Sequence, residues 1–172
     1  MSDTQSRSRR HRYEGLEDVR FLTFSCYRNL KLLAESTERD LFAEHLLYRC
    51  ESENRDLLAW VVMPNHVHIL LGSSGSSTVG SFLHRLKSRY GRLVVQRWKR
   101  NDDPRLSMIR SPEGNSVFWQ RGGGYDRNIH SEEEFAEKSM YIENNPVRAG
   151  LVRKPEGWKW SHAGWSTGHA SR

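Results

Sequence analysis

Two histidines, His66 and His68, stand on either side of one apolar residue and follow a short Pro-Asn turn. An apolar run precedes the turn and another follows it, which predicts that His66 opens a buried strand. Residues two apart on a strand point to the same face of the sheet, and two neighbouring imidazoles can bind a divalent metal ion. The alternative is a pair of histidines at the exposed end of a strand.

A second group of reactive side chains lies on the predicted helix 131–146. Glu134, Lys138, Tyr141 and Asn145 follow the spacing i, i+4, i+7, i+11, so they share one face of that helix. If the helix packs beside the histidines, Asn145 can be a third metal ligand and Tyr141 can reach a phosphate bound to the metal. The alternative is that Tyr141 belongs to the core and Asn145 caps the helix.

A third feature is the predicted helix 78–98, whose charged residues all have the same sign. Residues 79–100 contain seven Lys or Arg and no Asp or Glu. A face that is merely solvated normally mixes charges, so this pattern favours contact with a nucleic-acid backbone. The net charge of +6 and the pI of about 9.6 allow the same partner.

The elements that must position these side chains follow from hydrophobic periodicity and turn residues. Strands are predicted at residues 19–27, 57–63, 66–71 and 117–120, and helices at residues 36–51, 78–98 and 131–146. Their order is βαββαβ followed by a last helix, and it predicts an α+β fold in which one antiparallel sheet carries helices on one face. This is the ferredoxin-like or RRM-like arrangement.

The boundaries of the helices are predicted from capping residues. Ser36 or Thr37 can cap the first helix, and Thr78 can cap the second. Ser131 opens a capping box at the start of the last helix. That helix is expected to end near Pro146, because proline disfavours helical geometry in the residue before it.

The chain length of 172 residues predicts one globular domain. The domain is expected at residues 19–152, between a basic flexible arm (residues 1–18) and a tryptophan-rich tail (residues 153–172), whose tryptophans either pack or stack on bases. No apolar run approaches the ~20 residues of a membrane helix, and no secretory signal is recognised. Cys26 and Cys50 are expected to be buried, reduced thiols in a cytoplasmic protein.

The residues around the histidines and the last helix together resemble a known family. The His-Val-His sequence that begins at His66 has a His-hydrophobic-His pattern, and the sequence Y-I-E-N-N-P-V-R-A-G-L-V begins at Tyr141. A Trp-Gln-Arg sequence at residues 119–121 also fits. The chain thus resembles the single-tyrosine HUH transposases, in particular the REP-associated tyrosine transposases (RAYTs), over about residues 19–160.

This resemblance implies roles for the site residues. His66 and His68 would bind Mg²⁺ or Mn²⁺, Asn145 would supply a third polar ligand, and Tyr141 would be the nucleophile. The implied fold is the HUH nuclease form of the same ferredoxin-like sheet, with the tyrosine on its last helix. Attack on single-stranded DNA would leave a 5′-phosphotyrosine and a free 3′-hydroxyl. Because free tyrosine has a pKa of about 10, the cation and Lys138 would favour its ionised form.

The resemblance also implies a substrate, which is single-stranded DNA folded as a REP-type hairpin. The basic side chains would track phosphates, and an unstacked base would lie on an aromatic ring. The protein would act in the bacterial cytoplasm, at the nucleoid, as a monomer or homodimer. The residues assigned to DNA contact are Arg85, Lys87, Arg89, Arg92, Trp119, Arg121 and Arg127.

Three other functions share parts of the pattern. A histidine-triad nucleotide hydrolase needs a third histidine where Leu70 stands. A non-catalytic RRM-like RNA-binding module needs paired stacking aromatics on its central strands, and Trp60 finds no such partner in residues 66–71. A rolling-circle replication initiator uses the same chemistry, but the small size and the motif at Tyr141 favour the transposase.

Overall fold

The structure, a computed structural model, describes residues 19–72, 74–122 and 124–169, with side chains as far as residue 165. The predicted basic arm, residues 1–18, lies outside the described residues. Four strands form one sheet in the order β2-β3-β1-β4, in which all neighbours are antiparallel. The strands are β1 (Arg20–Ser25), β2 (Leu57–Val62), β3 (His66–Leu71) and β4 (Tyr125–Asn128).

Five α-helices accompany this sheet in the described part of the chain. They are α1 (Ser36–Ser52), α2 (Val79–Arg100), α3 (Arg105–Met108), α4 (Glu132–Arg148) and α5 (His162–His169). Single 3₁₀ turns occur at Tyr27–Asn29 and Pro155–Gly157. The element order and the strand order confirm the predicted α+β, ferredoxin-like arrangement. None of the helices described is both long and apolar enough to cross a membrane.

The position of the fourth strand was predicted wrongly. Residues 117–120 form no strand, and only an isolated bridge joins Trp119 to Cys26. The fourth strand is β4, which pairs with β1 at the sheet edge and exposes all four of its residues. Because both faces of β4 are polar or exposed, it lacks the alternation that identifies a half-buried strand.

The two faces of the sheet bury different side chains. On β1, Leu22 and Phe24 point towards α1 and α2, and these residues form one hydrophobic cluster with Phe42 and Phe82. Phe21, one position away, points to the opposite face and joins a second cluster with residues of α4. The expectation of helices on one face is therefore wrong for α4, which covers the other face and contacts β2 and β3.

Two of the predicted helix caps are confirmed. Thr78 accepts a hydrogen bond from the Ser81 backbone at 3.2 Å, and Ser131 accepts one from the Glu134 backbone at 3.1 Å. At α1, however, Glu35 occupies the capping position with no side-chain bond, so the predicted Ser36 or Thr37 cap is wrong.

The predicted end of the last helix near Pro146 is also wrong, because α4 continues to Arg148. Proline this close to the C-terminus removes only one late hydrogen bond. Backbone bonds from Ala149 to Asn145 (3.0 Å) and from Leu151 to Pro146 (2.9 Å) close the final turn.

The tryptophan-rich tail packs on the domain. The Trp158 indole is 8% exposed and donates to the Val62 carbonyl at 3.0 Å. The Trp160 indole donates to Asp40 Oδ1 at 2.9 Å. An isolated bridge between Val61 and Ser161 places the chain along the outer side of β2, so packing is the alternative that the structure supports for these two side chains.

The two cysteines have the environment that was expected. Cys26 and Cys50 are both buried free thiols. Burial raises the pKa of each thiol to about 12, so neither is a reactive thiolate near neutral pH.

Candidate active site

The pleat of β3 places both histidines on the face that α4 covers. Val67 and Ile69 belong to the cluster beneath α1 and α2, whereas Leu70 belongs to the cluster beneath α4. His66 and His68 share the side of Leu70 because strand side chains alternate. Their ring centroids are 4.7 Å apart with an interplanar angle of 78°, so the two imidazoles are immediate neighbours.

Helix α4 brings Tyr141 to the same place. Ile142 is fully buried against the sheet and anchors this turn of the helix. The Tyr141 ring centroid lies 5.2 Å from that of His68 and 6.1 Å from that of Phe21. Side chains from strand and helix, about seventy positions apart in the chain, therefore meet at one point.

Asn145, one turn after Tyr141, hydrogen-bonds with the His66 side chain. His66 Nδ1 also lies 2.7 Å from Asn65 Oδ1. The Asn65 amide nitrogen donates to Asn29 Oδ1 at 2.8 Å, which orients the amide so that its oxygen faces the imidazole. The His66 imidazole is therefore bonded to the side chains of both Asn65 and Asn145.

His68 is held in a different way. The Thr23 hydroxyl lies 2.7 Å from His68 Nδ1, and Thr23 is the β1 residue paired with His68 across the sheet. His68 Nε2 is buried and has no hydrogen-bond partner among the described residues. A buried nitrogen without a partner is costly unless another group, such as a metal ion, uses its lone pair. Neither Thr23 nor Asn65 was predicted from the sequence.

Both imidazoles are neutral at physiological pH. Burial lowers the pKa of His68 to about 3, with a smaller contribution from the neighbouring His66. Burial also lowers the pKa of His66, and the bond from Asn145 partly offsets this effect. Neutral imidazole is the form that binds a metal, so the donor atoms fit a divalent ion without first losing a proton.

The buried His68 predicts a pH-dependent stability in metal-free protein. The unfolded chain takes up a proton near pH 6.5, whereas folded His68 does not until about pH 3. The unfolded state therefore binds more protons between these values, and stability falls as the pH is lowered. Between pH 7 and pH 5 this loss is about 2 kcal/mol for His68 alone.

Urea denaturation in a chelating buffer at each pH measures this loss. His68→Phe keeps a ring at the site but has no group that titrates. The free energy of unfolding of this variant should therefore fall by about 2 kcal/mol less than that of the unmodified chain over the same pH range. His45, a buried histidine on α1 whose pKa burial also lowers, is left intact in both proteins. Equal pH dependence of stability in the two proteins would contradict the low pKa of His68.

A cleft of about 310 Å³ opens beside the rings of His68 and Tyr141. Its lining residues are Phe21, Thr23, His68, Tyr125, Lys138 and Tyr141. Lys138 lies one turn before Tyr141, as predicted, and its Nζ is 5.9 Å from the Phe21 ring centroid. The same ammonium is paired with Glu137 at 2.7 Å. The cleft thus holds a phenol, an imidazole and a cation within one small volume.

The predicted DNA contacts separate into two groups. Arg85 is bound to Glu53 at 2.9 Å, and Arg127 to Glu134 at 2.8 Å, so each of these two already has an acidic partner. Arg89, Arg92 and Arg121 are exposed.

A groove of about 1110 Å³ lies between α2 and residues 116–122. Lys87, Arg92 and Arg121 line it. Lys87 is half-buried with its Nζ 5.4 Å from the Phe24 ring centroid, and it makes no ion pair with any residue that the structure describes. Burial lowers the pKa of Lys87. The groove shares two lining residues, Thr23 and Tyr125, with the cleft, so the two spaces border the same part of β1 and β4.

Trp119 lies in the core although it was assigned to base stacking. It is 7% exposed, and its indole donates to the Lys87 carbonyl at 3.0 Å. Phe24 and Phe42 approach its ring at centroid distances of 5.1 and 5.5 Å. This burial argues against the predicted stacking role, because little of the side chain is exposed to a base.

The described residues contain no group of three or more His, Cys, Asp or Glu side chains that could hold a metal ion. Two imidazoles are present, and the side chain that accompanies them is the Asn145 amide. A third protein ligand at this site would therefore be neutral, which leaves the full charge of a bound ion available to a substrate.

A family model described as "Transposase IS200 like" matches residues 18–145. A solved REP-associated tyrosine transposase, bound to a REP hairpin, aligns with a TM-score of 0.65 and 19% identity, covering 100% of this chain and 88% of that chain. A candidate transposase from Deinococcus radiodurans aligns with a TM-score of 0.50 and 21% identity, covering 73% and 88%. No curated protein sequence matches. At these identities the two structures show a shared fold.

Proposed function

Because the chain belongs to the family of IS200-like transposases, we propose that it cuts and rejoins single-stranded DNA through a covalent bond to Tyr141. The observation that supports this proposal is the meeting of Tyr141 with the histidine pair, at 5.2 Å between the ring centroids of Tyr141 and His68. A non-catalytic RRM-like module would share the sheet but would not need a phenol beside two neutral imidazoles.

In the proposed reaction the Tyr141 oxygen attacks a backbone phosphorus. A bond forms between that oxygen and phosphorus, and the bond from phosphorus to the 3′ oxygen breaks. The phenol loses its proton to solvent, and the departing 3′ oxygen takes one up. The product is a 5′-phosphotyrosine and a free 3′-hydroxyl. Attack by a 3′-hydroxyl reverses the step, so rejoining needs no ATP. Lys138, a cation in the same cleft, would act in this step beside Tyr141.

His66, His68 and Asn145 would hold the Mg²⁺ or Mn²⁺ ion of this reaction. The unpartnered Nε2 of His68 and the neighbouring His66 imidazole fit that role. When bound, such an ion withdraws charge from the phosphate and the leaving 3′ oxygen. Thr23 and Asn65 orient the imidazoles through their Nδ1 atoms, as partners of metal-binding histidines commonly do.

We propose a hairpin of the REP type as the substrate, by analogy with the transposase whose structure holds one. The groove beside α2 supports this, since it borders Thr23 and Tyr125 of the cleft and carries Lys87, Arg92 and Arg121 on its walls. Lysine and arginine side chains bind the phosphates of any sequence. We propose a monomer or a homodimer as the oligomeric state.

The experiment that tests the proposal is capture of a covalent adduct. A labelled library of hairpins with randomised single-stranded flanks is incubated with the full chain and Mn²⁺, and protein-linked DNA is recovered under denaturing conditions and sequenced. We expect adducts that share a short sequence, a tryptic phosphopeptide containing Tyr141, and transfer of the strand to an added 3′-hydroxyl. Retention of hairpins without any adduct would instead show a binding module.

A further inference from the structure

Tyr125 is an aromatic side chain that the site leaves unexplained. It is the first residue of the edge strand β4, and 48% of its surface is exposed. It lines both the cleft beside Tyr141 and the adjoining groove. A half-exposed ring therefore stands where the two spaces meet.

The position of this ring is fixed relative to the imidazoles. Tyr125 pairs across the sheet with Thr23, whose hydroxyl binds His68 Nδ1. Its ring meets the Phe21 ring edge-on, at a centroid distance of 5.7 Å and an angle of 67°. Phe21 in turn stacks on His68 at 5.7 Å and 13°. Phe21 thus contacts both Tyr125 and His68 through its ring.

The backbone before Tyr125 is equally constrained. A Cβ atom added at Gly124 would lie 3.0 Å from the Thr23 carbonyl oxygen, so this turn passes closely over β1. At the end of the ring, the Tyr125 hydroxyl accepts a hydrogen bond from the Arg127 side chain. The ring is therefore held by its edge and its hydroxyl, while a large part of its surface stays open.

We propose that Tyr125 is the stacking platform for the base next to the scissile phosphate, where the strand passes between the cleft and the groove. This inference rests on the proposed function. A phosphate at Tyr141 puts the neighbouring base near the shared wall of the two spaces, and Tyr125 is the exposed aromatic on that wall. Stacking accepts any base, so Tyr125 would position the strand without selecting its sequence.

The test is photo-cross-linking on a protein that cannot cleave. The Tyr141→Phe chain is mixed with a short oligothymidylate carrying 5-iodo-2′-deoxyuridine at one internal position, and the mixture is irradiated. We expect peptide mapping to place a cross-link on Tyr125. Cross-links that map only elsewhere, or none at all, would overturn the proposal.

Substitutions at Tyr125 separate the ring from the hydroxyl. Tyr125→Phe keeps the ring, so it should keep the cross-link and the affinity for the oligonucleotide. Tyr125→Leu should lose the cross-link and bind about tenfold more weakly, which is the size of one lost stacking contact. The control is Tyr48→Leu, which removes a 63% exposed tyrosine on α1 and should change neither. A loss caused by Tyr125→Phe would show that the hydroxyl acts, and would also overturn the proposal.

Failure of this inference can be told apart from failure of the proposed function. The cross-link is read on uncleaved DNA, whereas the adduct of the unmodified chain reports on Tyr141. An adduct without a cross-link at Tyr125 rejects the stacking role alone. A cross-link at Tyr125 without an adduct rejects the covalent chemistry alone.

Discussion

Replacing Tyr141 with phenylalanine is expected to abolish the covalent protein–DNA adduct and leave binding of the uncleaved oligonucleotide unchanged. The substitution removes the one oxygen that would bond to phosphorus, so the rate of adduct formation should fall by roughly 10³-fold or more. The ring stays in place, with its edge contacts to Phe21 and His68, and the fold should therefore persist. Denaturing gels of labelled hairpins measure the adduct, and fluorescence anisotropy measures binding.

The matched control is Tyr125→Phe, which removes the other phenol of the same cleft. It should form the adduct at the normal rate. An adduct that survives in Tyr141→Phe would show that another side chain is the nucleophile, and its phosphopeptide would identify that residue. Loss of binding together with the adduct would mean that the phenol holds DNA rather than attacks it.

The parts of the site that could be predicted are those that depend on local periodicity. Alternation along β3 was enough to put His66 and His68 on one face, and helical spacing was enough to put Lys138, Tyr141 and Asn145 on another. The family resemblance then predicted that these two faces form one site. The structure agrees, since the rings of His66, His68 and Tyr141 lie within 5.2 Å of a neighbour.

The parts that could not be predicted depend on contacts across the sheet. Thr23 reaches His68 only because β1 and β3 pair in one register, and nothing in the local sequence of β1 indicates that register. Tyr125 was missed for a related reason, since β4 is an exposed edge strand that follows a glycine-rich turn. A strand that is stabilised by pairing with β1 need not have an alternating hydrophobic pattern in its own sequence.

The basic helix shows a different limit of sequence reasoning. Its uniform charge predicted phosphate contact for Arg85, Lys87, Arg89 and Arg92, but sequence does not show which cations have partners. Arg85 binds Glu53, and Ser77 donates to the same carboxylate at 2.6 Å, so this arginine fastens the loop before α2 to the end of α1. Lys87, two positions later, has no such partner among the described residues and faces the groove. The charges that are available to DNA are fewer than the count implies.

Replacing His66 with alanine is expected to remove metal-dependent cleavage and to weaken Mn²⁺ binding by at least about 100-fold. Loss of a supporting residue alone commonly costs 10- to 100-fold in metal affinity, and loss of a ligand should cost no less. His66 is only half-buried, so its removal should cost little stability. Electron paramagnetic resonance titration of free Mn²⁺ measures affinity without relying on activity, and single-turnover adduct formation measures the rate.

The control for this substitution is His84→Ala, which removes an exposed histidine on α2 that lines the groove but lies outside the cleft. It should bind Mn²⁺ with unchanged affinity. Because His66→Ala leaves room at a half-exposed position, free imidazole added to the buffer should restore part of its cleavage. Unchanged Mn²⁺ affinity in His66→Ala would show that the ion is held elsewhere. The unpartnered Nε2 of His68 would then need another explanation, and the proposed reaction would have to proceed without an ion at the histidine pair.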